Sequence, residues 1–423
     1  MPSYINGIDA SLITGLGQIG VGTGSAPIVY PSGGLITNSG LLSPRLIQRN
    51  GNTVPSASFY SRPNNMDSAS LGTSSWTKIV GNDLAYYLLS SSGELYAVGN
   101  NSSYTGTGKT NTLAKVTTGS NGWTDIAAGQ SFAIGICNGK LFGIGLNTNG
   151  QFGNGTTTSA FTNFIVINNN TGWIEVSAGN GFSMAISGSG GSGSIFSAGN
   201  NTSGRTGQNT ATGNTLTYTQ PFGITGSLFT DVSCGEDYAL AISGTQIYGT
   251  GEAGSYQLGN NNITDRNTFG LLTGSTGFTR VFAFTDFSKA IDTNGFHYHT
   301  GDESYTRGDG VTTSNVTTWT RLNTSSAEFS SGWQNFYAYH LGATTYGVIG
   351  VNNFRPFYIG QLTQYTEWMP NTTWTYYNQA NTATWTAFVS SSTNVSCSAA
   401  GWSTGFTGVA TEPLLMIQLT PTS

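Results

Sequence analysis

Charge is what this 423-residue sequence has least of. Asp, Glu, Lys and Arg together make up 8% of it, against about a quarter in ordinary soluble domains. Only 14 residues are Lys or Arg, and they form no basic run. Phosphate binding needs clustered cations, so nucleic acid is excluded as a main partner. Adsorption to an anionic membrane surface is excluded for the same reason. Cysteine is also scarce. Cys137, Cys234 and Cys397 stand far apart and form no CxxC. That argues against a disulfide framework and a structural zinc site, and leaves small buried thiols. No apolar run reaches the roughly 18 residues of a membrane span. The opening MPSYINGIDASLITGLGQIGVG has no Lys or Arg and no solid apolar stretch, so it does not read as a signal peptide.

Glycine is abundant, at 60 residues, and aromatics reach 12%. Ser, Thr and Asn supply most of the polarity. The aromatics provide core material that a disordered polar chain lacks. Glycine, asparagine and threonine beside aromatics point to many short strands joined by tight turns. Such a composition suits life outside a cell, yet the secretion address is missing. A virus particle released by lysis reconciles the two, and so does an unconventional export route.

A repeat organises most of the chain. Trp123 opens WTDIAAGQSFAIGICNGKLFGIGLNTNGQFGNG, and Trp76, Trp173, Phe229 and Phe278 open similar stretches. Their spacing is about 50 residues, which with several strands per unit indicates a propeller or similar array. A weaker copy starts at Trp333, and a degenerate last one runs from about Trp374 to the C-terminus. Each unit reads as a small antiparallel sheet. AAGQSFAIGIC alternates roughly as a half-buried strand does, GKLFGIG is a second strand entered from a turn, and FTNFIVI is an outer strand. Gly129 and Gly235, near the unit starts, suit a crowded centre. Gly145 and Gly251 end the second strands, and Gly150, Gly153 and Gly259 punctuate the loop that follows. One blade cannot bury both faces, so neighbours must cover them.

These repeats resemble those of the regulator of chromosome condensation family, most closely at GKLFGIGLNTNGQFGNG and at YGTGEAGSYQLGNN (248–261). The resemblance spans residues 76–423 and implies an all-β fold, a seven-bladed β-propeller. It specifies architecture far better than activity. Residues 1–75 lie outside the repeat. Residues 15–44 are apolar, Gly-punctuated and without helical period, and are expected to form an extended N-terminal arm that docks on something. ASFYSR (57–62) and the C-terminal TEPLLMIQL are candidate ring-closing strands.

Chemical motifs are few. His297 and His299 form HYH, but occupy the slot of GKLFGIG and read as strand positions, not as a metal site. Arg307, Gly308 and Asp309 spell RGD within the same loop as NGQFGNG. GTGSAP (22–27) and GSGGSGS (188–194) lack the lysine of a phosphate loop, and the second reads as a long hairpin turn. Ser187 and Ser243 have no His–Asp partners in the pattern. Asp125, Glu175 and Asp231 recur near blade starts and read as partners of turn backbone, not as a glycosidase pair. Asn101, Asn154 and Asn201 head Asn-x-Ser/Thr triplets, which matter only in a eukaryotic secretory route.

No catalytic, cofactor or metal residues are therefore expected, and no enzyme activity. The favoured reading is a virion component of a tailed phage, a capsid decoration or tail part. Residues 1–75 would hold other virion proteins, and the propeller loops would meet a host-surface glycan or protein. Homo-oligomers are compatible with it. The alternative is a secreted or cell-surface bacterial propeller that binds or inhibits a protein. A nucleotide-exchange factor for a small GTPase, which the family resemblance implies, is less favoured because the chain has no basic segments.

Overall fold

The computed structural model describes residues 76–376, with breaks of which the longest are 303–314, 323–330 and 361–370, and four short strands nearer the chain ends. Near the N-terminus, β1 (Tyr4–Ile5) pairs with β2 (Ile8–Asp9), while β3 is Arg45–Gln48. The first blade is β4 (Trp76–Gly81), β5 (Ala85–Ser90), β6 (Leu95–Gly99) and β7 (Ala114–Lys115), with a one-turn helix α1 (Ser102–Thr105) after β6. The second is β8 (Trp123–Gly129), β9 (Phe132–Cys137), β10 (Lys140–Gly145) and β11 (Ala160–Asn168). The third is β12 (Trp173–Ala178), β13 (Phe182–Ser189), β14 (Ser192–Asn200) and β15 (Asn214–Thr219). The fourth is β16 (Phe229–Cys234), β17 (Tyr238–Ser243), β18 (Gln246–Gly251) and β19 (Arg266–Leu271). The fifth is β20 (Phe278–Ala283), β21 (Phe287–Asp292), β22 (His297–Gly301) and β23 (Val316–Arg321). The sixth is β24 (Trp333–His340), β25 (Tyr346–Asn352), β26 (Arg355–Gly360) and β27 (Asn371–Tyr376).

Every blade is antiparallel, its strands paired in chain order. The long hairpin of β13 and β14 closes through Gly190 and Gly191, both at positive φ, as a two-residue turn requires. Its extra length lets Gly193 pair with Phe229 and joins the third and fourth blades into one sheet.

The alternation seen in the sequence is one of large and small residues, not of buried and exposed ones. All six residues of β9 are buried. Ile126 and Ala128 pack toward the first blade, whereas the intervening Ala127 packs with Ile134, Ile136, Trp173 and Val176 of the next interface. Each core thus lies between two blades, which is why a single blade is not stable alone.

Each blade opening does more than the sequence pattern indicates. Trp123, Trp173, Phe229 and Phe278 are all buried. Each meets an aromatic from the third strand and another from the outer strand. The partners are Phe142 and Phe164, Phe196 and Tyr218, Tyr248 and Phe269, and Tyr298 and Trp319, with centroids 4.9–5.8 Å apart. These tilted and edge-on contacts add to area burial. Trp76 and Trp333 open β4 and β24 with the same register, and Trp333 is also buried.

One expectation changes. Trp374 does not open a seventh unit; it lies in β27, the outer strand of the sixth blade. A Trp on an outer strand and a Trp on a first strand look alike in a linear pattern, as Trp319 of β23 and Trp123 of β8 do. The C-terminal candidate strand is present as β28 (Leu415–Gln418), and its partner is β3. ASFYSR (57–62) and Arg307–Asp309 lie outside the described residues, as does Cys397.

Candidate functional site

The loop that follows each third strand is the natural place to seek a ligand site. Its construction is that of a clip. In the second blade, buried Asn147 accepts the N–H of Phe152 at 2.8 Å and donates to Thr156 O at 2.9 Å. Asn201 does the same in the third blade, accepting from Thr206 N at 3.1 Å and donating to Thr210 O at 2.9 Å. Gly145 and Gly251, at φ 99° and 100°, end the third strands where a Cβ would stand 2.5 Å from Ser131 O and Asp237 O. Gly150, Gly153 and Gly259 also have positive φ, which glycine adopts without strain.

Each loop then pairs with the next blade's outer strand. Gly155 N donates to Leu216 O at 2.8 Å, Asn209 N to Asn267 O at 2.7 Å and Asn261 N to Thr317 O at 2.8 Å. Single bridges join Asn154 to Thr217, Gln208 to Thr268 and Asn260 to Thr318. The sequence shows the loop's recurrence but not this partner, because the pairing crosses between blades.

A second recurring position lies two residues after each opening aromatic. It holds Lys78, Asp125, Glu175, Asp231, Arg280 and Asn335. In every blade a register shift separates it from the aromatic. A bulge re-aims the following side chain, here into the seam between blades. Lys78 Nζ donates to Asp125 Oδ1 at 2.6 Å. Asp125 Oδ2 accepts Val176 N at 2.9 Å, Glu175 Oε1 accepts Val232 N at 3.4 Å, and Asp231 Oδ2 accepts Val281 N at 2.7 Å. Arg280 donates to Gln334 O at 2.9 Å. Asp125, Glu175 and Asp231 are structural, as the sequence suggests. Their partners, however, are the first strands of the next blades and not turns. Lys78 and Arg280, cations at either end of the acid run, were not singled out by the sequence pattern; their place in the repeat is the signal that finds them.

Burial holds the Glu175 carboxyl well above the usual range, reinforced by Asp231 and Asp125 and opposed by Lys78. Burial also lifts Asp231 to about 6, against the pull of Arg280 and the Val281 N–H. Glu175 Oε2 and Asp231 Oδ1 are buried without a hydrogen-bond partner, which is the desolvation that raises both carboxyls.

Gly129, Gly179 and Gly235 complete the inner contact. A Cβ on Gly129 would lie 2.6 Å from Gly179 O, on Gly179 2.5 Å from Gly235 O, and on Gly235 2.5 Å from Phe284 O. These glycines are set by close approach, not by φ.

One face of the ring gathers carboxylates. The turn after β16 carries Glu236 and Asp237, the loop after β18 carries Glu252 and Asp265, and the turn after β20 carries Asp286. Antiparallel order puts all of these at the same end of the blades. Arg205, from the third blade, pairs with Asp237 at 2.6 Å. It also donates to Asn180 O at 3.0 Å, so it ties the third blade to the fourth. Burial pushes Glu236 up to about 7, and the neighbouring carboxylates Asp237, Asp286 and Glu252 add to this.

His297 and His299 are buried. Burial first, then Lys289 and His299, holds His297 well below its ordinary value. Its ring packs 4.4 Å from Phe336 and 5.4 Å from Trp333, in the seam between the fifth and sixth blades. Cys137 and Cys234 are free and buried, and burial pushes the Cys234 thiol up to about 12. Among the described residues, no group of three His, Cys, Asp or Glu is placed to hold a metal. No described helix is long and apolar enough to cross a membrane.

The sequence model of the regulator of chromosome condensation (RCC1) repeat matches residues 138–186. That stretch begins in the turn after β9 and ends within β13, half a blade out of phase with the sheets. The repeat therefore joins the outer half of one blade to the inner half of the next. No curated protein matches significantly. Among solved structures, human WBSCR16 is 14% identical with a TM-score of 0.64, covering 82% of this chain and 87% of that one. Yeast RCC1 (Prp20) bound to Kap60 is 15% identical with a TM-score of 0.53, covering 68% of this chain and 66% of that one. Prp20p of Saccharomyces cerevisiae, studied for its binding to Gsp1p and histones, is 17% identical with a TM-score of 0.50, covering 59% and 64%. At such identities the likeness concerns the fold. One stretch of the chain thus matches the RCC1 repeat, and its β-propeller fold is similar to that of RCC1-type proteins.

Proposed function

We propose that the chain is a non-enzymatic binding and structural propeller, held through residues 1–75 as a component of a virus particle of the tailed-phage kind. The supporting observation is the direction of its charge. Lys78, Asp125, Glu175 and Asp231 are turned into the seams between blades. The exposed positions of β15 are Asn, Thr and Leu. Such a surface suits protein or glycan contact, and ill suits a polyanion. Purified particles digested and analysed by mass spectrometry should contain the chain at stoichiometric level. Its absence from them sinks the proposal.

Two further readings remain open to test. The fold likeness to Prp20p, with its studied binding to Gsp1p, supports nucleotide exchange on a small GTPase. Accelerated nucleotide release in the presence of the chain would establish that reading and displace the first. Recovery of the chain from culture medium without lysis would favour a secreted or cell-surface binding or inhibitor protein.

A further inference from the structure

Two lysine–carboxylate pairs in the molecule have the same length and opposite surroundings. Lys78 Nζ lies 2.6 Å from Asp125 Oδ1, and Lys115 Nζ lies 2.6 Å from Glu94 Oε1. The side chains of the first pair are 3% and 5% exposed, those of the second 37% and 20%. Water holds the second pair ionised at little cost. In the seam between the first and second blades both charges are costly. A proton moved from Nζ to Oδ1 cancels both and leaves a neutral amine facing a carboxylic acid. A desolvated lysine amine is a nucleophile. A carboxyl carbon lies one bond from its oxygens, so Nζ stands within about 3.5 Å of Cγ, the range of near-attack geometry.

The carboxyl is held in place for such an attack. Ile126 N donates to Oδ1 at 2.9 Å, and Val176 N donates to Oδ2 at 2.9 Å. The second of these supports negative charge that develops on Oδ2. Glu175, next along the seam, interacts with both partners. Its Oε2 is buried without a hydrogen-bond partner, so an uncommitted carboxyl oxygen stands beside the pair to carry a proton. The cation at the other end of the acid run, Arg280, is a guanidinium, which stays protonated and does not attack.

We propose that Lys78 and Asp125 condense, once the blades have stacked, into an intramolecular amide that staples β4 to β8. The Nζ–Cγ bond forms and the Cγ–Oδ1 bond breaks. Of the three protons on the ammonium, one stays on the amide nitrogen and two leave with Oδ1 as water. Nothing is oxidised or reduced, and no co-reactant is consumed. Exclusion of water from the seam then opposes hydrolysis. The staple joins inner strands of two blades across 47 residues, whatever function the propeller serves.

The test is peptide mapping of the full chain, denatured and digested with trypsin. The expected product is a branched peptide in which Lys78 is uncleaved and joined to Asp125, one water lighter than its two linear parts. Glu94 and Lys115 serve as the solvated control and should remain unlinked. Lys78→Arg keeps the cation but removes the amine, and should abolish the branched peptide; the map of the parent chain decides even if this variant fails to fold. Cleavage at Lys78 in the parent, with both linear peptides at full mass, overturns the inference. So does a loss of water placed at other residues, or a branched peptide that persists in Lys78→Arg.

Discussion

Position 175 on β12 and position 166 on β11 are close in sequence and opposite in rule. On the first strands, one register position holds Lys, Asp, Glu, Asp, Arg and Asn in successive blades, yet the geometry repeats. Those side chains reach into the next blade's first strand, so identity varies only within what a buried donor–acceptor chain allows. On the outer strands the core aromatic recurs, and everything facing solvent is free to differ. Thr, Asn and Leu face outward on β15, while Phe161, Ile165 and Val166 do so on β11. The inner strands therefore hold the ring together, and the outer strands distinguish one blade from another.

The strongest way to break that contrast is at the ion pair. Asp125→Ala removes the 2.6 Å partner of buried Lys78 and the carboxylate that accepts the Val176 N–H. It should cost about 3–5 kcal/mol, the range for removing one partner of a buried pair, read as a fall in the denaturant midpoint. Next is Gly179→Ala, whose Cβ would meet Phe182 at 2.2 Å and Gly235 O at 2.5 Å. Overpacking of this kind costs about 1–3 kcal/mol, and thermal unfolding should show it.

The acid seam gives a pH signature. A carboxyl with a raised folded-state value binds its proton more tightly in the fold, so stability falls as pH rises from the unfolded value through the folded one. For Asp231 that window runs from the ordinary 3.8 to about 6. For Glu175 it starts at 4.5 and extends well above it. Glu175→Gln keeps an acceptor for Val232 N and cannot ionise. It should flatten the fall in melting temperature across this range and leave the variant more stable than the parent near neutrality. Glu236, only partly buried, titrates at about 7, so Glu236→Gln should show the same sign more weakly, between pH 4.5 and 7.

The smallest effect belongs to the outer strand. Thr162 sits at φ 79°, a conformation costly for a β-branched residue. Thr162→Gly should stabilise by about 1 kcal/mol at most, after the entropic cost of glycine is subtracted, read as a rise in melting temperature.

The architecture was legible because a propeller repeats its physics. Aromatic openings, GKLFGIG-type strands and NGQFGNG-type loops recur at about 50 residues, and that period alone indicates blades. The hairpin over residues 188–194 was legible from its glycines, and the buried thiols from their isolation. Other features were not. The loop clip joining Asn154 to Thr217 and the bond from Val232 N to Glu175 cross between blades. A linear pattern displays what each unit contains, not which neighbour it touches. Trp374 was misassigned for a related reason: a linear pattern does not tell an outer strand from a first one.

By itself, then, the sequence determined that this is an all-β array with little charge, many tight turns and no cationic surface. Those properties follow from composition and period, which are local. Tertiary structure alone decided that Lys78, Asp125, Glu175, Asp231 and Arg280 bond from blade to blade, that burial raises the Glu175 carboxyl, and that β11 exposes Phe161, Ile165 and Val166. Each of these depends on desolvation and on partners brought together from far apart in the chain, which only the stacking of blades supplies.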